Sequence, residues 1–185
     1  MNDQQYPVHY VCTKEEALNL INQHKKFWLS DCGCRVGKGS VCKQSRIDVC
    51  LYFTDTWEGM GSPLRSISKK EALLVLEESK NKNLVSRPFR NPKDKNITDG
   101  VCFCCNDCCA YFLCPDEVCD NGKYRESTDM EKCNLCGICV DLCYFHARKI
   151  ENDQMIVIKD NCYRCGICAE ICPEVSIQMI LREQE

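Results

Sequence analysis

Two segments of the chain place apolar residues with the spacing of an amphipathic α-helix. Each segment opens with a hydroxyl residue followed three positions later by glutamate, at Thr13 and Glu16 and at Ser68 and Glu71. This pair forms a capping box, in which both side chains bind backbone N–H groups at a helix start. Apolar residues then recur at helical intervals in TKEEALNLI and SKKEALLVL,. We therefore predict two scaffolding helices, over 13–26 and 68–83.

A two-residue alternation appears only late in the chain. The stretch KIENDQMIVIKDN (149–161) alternates apolar and polar residues around Asn152-Asp153, which predicts a short β-hairpin,. Polar, turn-rich stretches cover 54–68, 87–100 and 119–128,. The last of these is the predicted boundary, so we expect a cysteine-rich domain over 1–120, a linker over 121–128 and a second domain over 129–185.

Cysteine content narrows the chemistry, because 20 of the 185 residues are cysteine. Such a fraction is typical of disulfide scaffolds and of metal-rich proteins. The start, MNDQQYPVHY, has neither the basic nor the apolar region of an export signal,. No stretch approaches the roughly 18 apolar residues of a membrane span. We therefore expect a cytoplasmic protein that uses its thiols on metal rather than in disulfides.

Charge adds an expectation about partners. The net charge of −3 gives no indication of nucleic-acid binding,. Residues 129–185 carry ten Asp/Glu against six Lys/Arg. An acidic redox domain would dock on a basic surface of a redox enzyme or another electron donor or acceptor. An ordinary solvated acidic surface explains the same counts equally well.

The strongest motif is a duplicated cysteine run near the end of the chain. Its first copy reads CNLCGICVDLC (133–143) and its second reads CYRCGICAEICP (162–173), 29 residues later. Three cysteines at two-residue intervals can wrap one loop around three iron corners of a cubane, and the glycine permits the tight turn. In the bacterial run C-x2-C-x2-C-x3-C-P, the fourth cysteine ligates the other cluster.

On these motifs, about residues 129–180 resemble the bacterial-type two-cluster ferredoxins. The resemblance implies electron transfer through two [4Fe–4S] clusters in a small fold of two hairpins and two short helices. One cluster would take Cys133, Cys136, Cys139 and Cys172, and the other Cys162, Cys165, Cys168 and Cys143. The chain departs from the family at Tyr144, where proline is usual. Zinc fits less well, because two triple-cysteine loops do not divide into the paired ligands of structural zinc sites.

The upstream cysteines form a second set of candidate ligands. Basic neighbours, Arg35 and Lys38, would favour thiolate over thiol there. Three interpretations of the N-terminal half stay open. It could hold one or two further iron–sulfur clusters, it could hold zinc or another structural metal, or its thiols could be redox-active or simply buried. The candidate ligands, without any pairing, are Cys32, Cys34, Cys42, Cys50, Cys102, Cys104, Cys105, Cys108 and Cys109. We expect Cys12, Cys114 and Cys119 to be peripheral.

The order of elements also resembles a group of iron–sulfur proteins of anaerobic microbes, with a CxCR and CxCC front half before a ferredoxin module. The fold class implied is α+β, with a small helical, cysteine-rich N-terminal domain before the ferredoxin-like one. His9, His24 and His146 lack ligand spacing, so we expect surface or packing roles for them. No oligomeric state is indicated.

Function follows as an expectation. We predict an electron-transfer protein, or an electron-transfer subunit of a redox complex. An enzyme with its own organic cofactor is disfavoured, because the chain lacks a phosphate loop, a Ser–His–Asp pattern and a dinucleotide fingerprint. Two alternatives stay open: an enzyme whose front-half cluster has an open iron site for substrate, and an iron–sulfur regulator that responds to redox state.

Overall fold

The computed structural model describes residues 7–39, 41–114 and 118–182 and shows a mixed α and β fold. Its strands are β1 (His9–Tyr10), β2 (Phe27–Ser30), β3 (Cys50–Tyr52), β4 (Arg65–Ile67), β5 (Val85–Arg90), β6 (Thr98–Cys104), β7 (Cys119–Asp120), β8 (Tyr124–Thr128), β9 (Arg148–Glu151), β10 (Gln154–Val157) and β11 (Ile177–Leu181). Its helices are α1 (Lys14–Gln23), α2 (Gly33–Gly37), α3 (Lys69–Asn81), α4 (Ala110–Leu113), α5 (Ile138–Asp141) and α6 (Ile167–Glu170), with a 3-10 turn at Lys159–Asn161.

Both predicted helices are confirmed, as α1 and α3, and each ends two or three residues earlier than expected. Their capping boxes are complete, with Thr13 and Ser68 as the N-cap residues. Burial falls on one stripe of each helix, which includes Ala17 and Ile21 in α1 and Ala72 in α3. Helix formation here therefore follows from local capping and an apolar face.

A seven-stranded sheet organises the N-terminal half, with the strand order β4-β2-β3-β6-β5-β1-β7. Neighbouring strands are antiparallel except β1 and β7, which are parallel. We expected this half to be helical, and the sequence did not predict its sheet. All three residues of β3 and five of the six residues of β5 are buried. Strands buried on both faces have no solvent-exposed polar face and therefore lack the apolar–polar alternation by which a strand is recognised.

The two faces of this sheet have different environments, because successive side chains of a strand point to opposite faces. Leu51, Val101 and Phe103 pack in the core that α1 and α3 cover. Cys50 and Cys102 belong to a separate buried cluster, and the strand register pairs them directly. The sheet therefore presents thiols on the face opposite its helices.

The C-terminal region contains the predicted hairpin, as β9 and β10. Asn152 and Asp153 form its turn with φ of 50° and 57°, the left-handed conformation that Asn and Asp tolerate in hairpin turns. The other strand pair is not a local hairpin, because β11 pairs with the distant strand β8. The two strands are antiparallel, with Ile177 opposite Thr128 at one end and Leu181 opposite Tyr124 at the other. The segment expected as a linker at 121–128 thus includes strand β8.

Among the described residues, we find no helix with the length and apolar character needed to cross a membrane.

The buried side chain of Lys14 in α1 affects the stability of the folded protein in a way that depends on pH. Lys14 is 6% exposed, and its Nζ donates hydrogen bonds to Ser79 Oγ and Ser86 Oγ at 3.1 Å each and to the carbonyl oxygen of Leu84. Burial lowers the pKa of Lys14 from 10.5 to about 8. The charged form is therefore disfavoured in the folded state relative to the unfolded chain.

This shift predicts that stability rises with pH. Because the folded pKa lies below the unfolded one, the folded protein binds fewer protons between about pH 8 and 10.5,. Relative to Lys14→Met, the wild-type chain should gain about 1 kcal/mol of unfolding free energy between about pH 7 and 9. Anaerobic denaturant unfolding of both proteins measures this. If the unfolding free energies of the two proteins changed equally with pH, the lowered pKa of Lys14 would be contradicted.

Candidate metal centres

The duplicated cysteine run is also duplicated in its backbone. Helices α5 and α6 occupy positions 29 residues apart, and each has a left-handed glycine as its N-cap. Three pairs of residues with positive φ repeat at the same interval, and they are Leu135 and Arg164, Gly137 and Gly166, and His146 and Val175. Positive φ is uncommon in residues other than glycine, so the repeat extends to the conformation of the ligand loops.

The second loop surrounds a cavity. Arg148 is among its lining residues. The four thiols that the ferredoxin resemblance implies for one cluster all line it, and Cys139 of the first loop lines it as well; the four are Cys143, Cys162, Cys165 and Cys168. The backbone N–H of Ala147 donates to Cys143 Sγ at 3.3 Å.

The first loop gathers its thiols less tightly. Cys139 is buried and packs with Cys172 from the other repeat in one apolar cluster, whereas Cys136 is exposed. Asn134 Nδ2 donates to Glu174 Oε1 at 3.0 Å, which fastens the first loop beside the residues that follow Cys172. The Ser176 N–H donates to Cys172 Sγ at 3.4 Å, the counterpart of the Ala147 bond.

A buried arginine joins this module to β8. Arg148 is 4% exposed and its Nε donates to Cys139 Sγ at 3.3 Å. Its Nη1 forms an ion pair with Glu126 at 2.8 Å, and its Nη2 donates to Thr128 Oγ1 at 2.9 Å. Strand β8 therefore holds the arginine that faces the ligand sulfurs.

Six upstream cysteines line a second cavity, on the sheet face away from α1 and α3. We call it the sheet pocket, and its thiols are Cys32, Cys34, Cys50, Cys102, Cys104 and Cys109. Its cavity volume is about 410 Å³, and His9 and Arg87 are also among its lining residues. Strands β3 and β6 supply three of these cysteines, and the starts of α2 and α4 supply the others.

Each hydrogen bond between two thiols of the sheet pocket favours the thiolate of one partner and the thiol of the other. Cys50 Sγ and Cys102 Sγ lie 3.5 Å apart, and their hydrogen bond lowers the pKa of Cys102, against the effect of burial, while it raises the pKa of Cys50. Arg87 is 2% exposed and its Nη1 donates to Cys109 Sγ at 3.3 Å. The pocket thus combines soft donors with a buried cation, which suits a thiolate-bound metal.

The three remaining candidates form a separate, compact group, which we call the three-thiol site. Sγ of Cys42 lies 3.6 Å from that of Cys105 and 3.4 Å from that of Cys108, and Cys105 and Cys108 are 3.4 Å apart. Burial raises the pKa of Cys42, but hydrogen bonds, led by that from Arg35, lower it to about 7 overall.

Adjacent cysteines divide between the two upstream sites. Cys104 and Cys109 line the sheet pocket, while their neighbours Cys105 and Cys108 belong to the three-thiol site. The nine upstream candidates therefore separate into six and three. The sequence left them unpaired because the division depends on the strand register and on the turn after β6.

Aromatic residues fill the contact between the sheet half of the chain and the repeat. Tyr111 and Phe112 of α4 meet Tyr144, Phe145 and Tyr163 of the repeat, with ring centroids 5.3 to 6.1 Å apart. The Tyr144 hydroxyl donates to Gln44 Oε1 at 3.2 Å. In the sequence, Tyr144 stands out only because it occupies a position where proline is usual. In the structure this residue forms part of the aromatic contact.

The structure also gives the surroundings of several other residues. His9, expected at the surface or in packing, has its ring edge-on against Phe89 and also lines the sheet pocket. The role of Arg87 was not anticipated, and no motif marks it. Among the cysteines expected to be peripheral, Cys114 is exposed, whereas Cys12 and Cys119 are buried. Burial raises the pKa of Cys119 to about 11.

Comparison with known proteins agrees with this geometry. A family model described as a 4Fe-4S binding domain matches residues 127–149. The match covers the end of β8, the first cysteine loop and the start of β9. No curated protein matches the chain. The chain therefore contains an iron–sulfur module that binds at least one [4Fe–4S] cluster, the kind of module that serves in electron transfer and works with redox partners.

Proposed function

We propose that this protein relays single electrons through two [4Fe–4S] clusters in the 129–185 domain and exchanges them with a third iron–sulfur group in the sheet pocket. The observation that carries the proposal is the repeat of eight cysteines on a duplicated backbone. Because the two loops share their cysteine spacing and their left-handed positions, what the family match implies for the first loop extends by symmetry to the second.

The proposed ligand sets interlock. Cys133, Cys136, Cys139 and Cys172 would hold one cluster, and Cys162, Cys165, Cys168 and Cys143 the other. A bound [4Fe–4S] cluster supplies one-electron redox chemistry. The chain supplies thiolates, the N–H···S bonds at Cys143 and Cys172, and the Arg148 cation, which together favour the anionic ligand state.

The donor arrangement in the sheet pocket suggests a polynuclear group. Its six thiols are spread around a cavity rather than collected at a point. No three cysteine, histidine or carboxylate ligand atoms in that pocket all lie within 4.8 Å of one another, when the described residues are searched. Several iron atoms bridged by sulfide would satisfy more thiolates than a single tetrahedral ion, which takes four ligands.

The aromatic contact connects the two regions in this proposal. Tyr144 and Tyr163 directly follow Cys143 and Cys162, and Arg87 of the sheet pocket lies 4.1 Å from the ring centre of Tyr111. The contact would hold the domains at a fixed separation. The external partner would be a redox enzyme or another electron carrier, in the cytoplasm, where thiols stay reduced.

Metal content of anaerobically purified protein tests the proposal. We expect about twelve or more irons per chain with matching acid-labile sulfide, since two [4Fe–4S] clusters account for about eight. Cys102→Ala should remove the iron of the sheet pocket and leave about eight, because Cys102 lines that pocket and its sulfur lies beside that of Cys50. Iron and sulfide assays on both proteins measure this.

A matched variant shows whether the loss is local. Cys114→Ser changes an exposed cysteine outside both upstream sites and should retain the wild-type iron content. About eight irons in the wild-type chain, with none lost in Cys102→Ala, would restrict the clusters to the 129–185 domain. Fewer than about four would contradict the two-cluster assignment.

A further inference from the structure

We propose that the three-thiol site binds one thiophilic divalent ion, of the Zn²⁺ class, separately from the iron–sulfur groups. It is the one set of three cysteine, histidine or carboxylate ligand atoms, among the described residues, that all lie within 4.8 Å of one another. The proposal does not depend on the clusters proposed above. It begins from the distances between sulfur atoms.

Sulfur spacing separates a mononuclear site from a cubane site. Zinc lies about 2.3 Å from each thiolate in a tetrahedral site, so its sulfurs are about 3.8 Å from one another. The observed separations of 3.4 to 3.6 Å approach this value. Thiolates on different iron corners of a cubane lie much farther apart, because two irons and a cluster edge separate them.

The ferredoxin-like loops provide an internal comparison. Cys162, Cys165 and Cys168 line one cavity, yet no three ligand atoms of these loops come within the 4.8 Å that the three-thiol site satisfies, in the part of the chain described. The same chain thus contains open arrangements around cavities and one closed triangle. The closed triangle has room for an ion but not for a cluster.

Charge in the three-thiol site also suits a divalent ion. Three thiolates and one divalent cation leave a net charge of −1. Arg35 is 3% exposed, its Nη2 lies 3.7 Å from Cys105 Sγ, and it donates to the Phe103 carbonyl at 3.1 Å. The described residues include no carboxylate that forms an ion pair with Arg35. A buried cation without a carboxylate is costly, and the metal thiolates would supply its counter-charge.

Polar contacts hold the two ligand loops together. Asp107 accepts from the Lys43 backbone N–H at 3.0 Å and pairs with Lys38 at 2.8 Å. Gln44 Nε2 donates to Asn106 Oδ1 at 2.8 Å. These contacts place the loop of Cys42 against the turn that carries the other two thiols. The ligands are therefore preorganised by contacts that do not involve sulfur.

Coordination at this site would be incomplete. Three protein thiolates fill three positions of a tetrahedral ion, and no fourth cysteine, histidine or carboxylate atom in the described residues joins the triangle. Three protein ligands with one free position are typical of zinc sites that bind an exchangeable ligand. Cys42 is only partly buried, so a small molecule can approach from its side.

The test is metal content of the full-length protein, purified anaerobically from medium supplied with both iron and zinc. We expect about one zinc per chain, and we expect Cys42→Ser to lose it with iron unchanged. Cys42 is the suitable position because, unlike Cys105 and Cys108, it is not next in the chain to a cysteine of the sheet pocket. Cys114→Ser, an exposed cysteine outside both sites, should keep the zinc.

X-ray absorption at the zinc edge of the wild-type protein tests the site even where a variant fails to fold. Three sulfurs at about 2.3 Å with one lighter atom are expected. The proposal is overturned if the wild-type chain lacks zinc, if its zinc has no sulfur shell, or if Cys42→Ser loses about four irons and no zinc.

Discussion

Replacing Cys143 with alanine should remove the cluster of the second loop and leave the cluster of its own loop in place. Cys143 lines the cavity formed by Cys162, Cys165 and Cys168, and its sulfur accepts the Ala147 N–H there. We expect a loss of about four irons after challenge with a chelator, and one fewer reduction wave in voltammetry. Iron analysis and voltammetry under anaerobic conditions measure both.

Double variants make this prediction decisive. If Cys143 and Cys165 serve one cluster, Cys143→Ala with Cys165→Ala should lose no more iron than either change alone. Cys143→Ala with Cys136→Ala should lose about eight irons, because the two changes then affect different clusters. The reverse pattern, with additivity between Cys143 and Cys165, would mean that each loop keeps its own fourth ligand.

Phe112→Ala should uncouple the two regions while leaving their metals bound. Phe112 lies 5.5 Å from Tyr144 and 5.3 Å from Phe145, ring centre to ring centre. Removing a half-buried phenylalanine should cost about 2 kcal/mol, less than the value for full burial. That loss would shift the docking equilibrium of the domains about thirtyfold. Transfer of electrons from the 129–185 domain to the sheet pocket should slow accordingly.

Rapid-mixing reduction followed by optical spectroscopy measures this transfer, with iron content checked in each sample. Leu113→Ala is the matched control, because Leu113 is the next residue of α4 and is 56% exposed. It should leave both the transfer rate and the thermal midpoint near their wild-type values. Equal transfer rates in the two variants would show that the aromatic contact does not couple the regions.

Local rules predicted the parts of this fold that local contacts determine. The capping boxes at Thr13 and Ser68 and the turn at Asn152 each depend on residues within a few positions of one another. The ligand loops are also local, apart from their fourth cysteines. Short-range chemistry therefore sufficed to place two helices, one hairpin and the cysteine loops.

The sheet and the upstream sites depend on long-range pairing, which a single sequence does not display. Cys50 meets Cys102 only because β3 pairs with β6, and the segments that pair are separated by α3. Cys104 and Cys105 belong to different sites because successive side chains at the end of β6 point to opposite faces of the sheet. Without the strand assignment, these cysteines could be recognised as ligands but not grouped.

The sheet pocket, the three-thiol site and the duplicated repeat each contain one buried arginine, and this links metal supply to the fate of newly made chains. Arg35, Arg87 and Arg148 are all 4% exposed or less and each donates to sulfur. Metal binding keeps these sulfurs anionic, whereas free thiols are mostly protonated at neutral pH. A chain made without its metals would therefore lose part of the stabilisation of its buried cations. Such chains would open more often and be degraded by proteases, so the cellular level of this protein should follow the supply of metal.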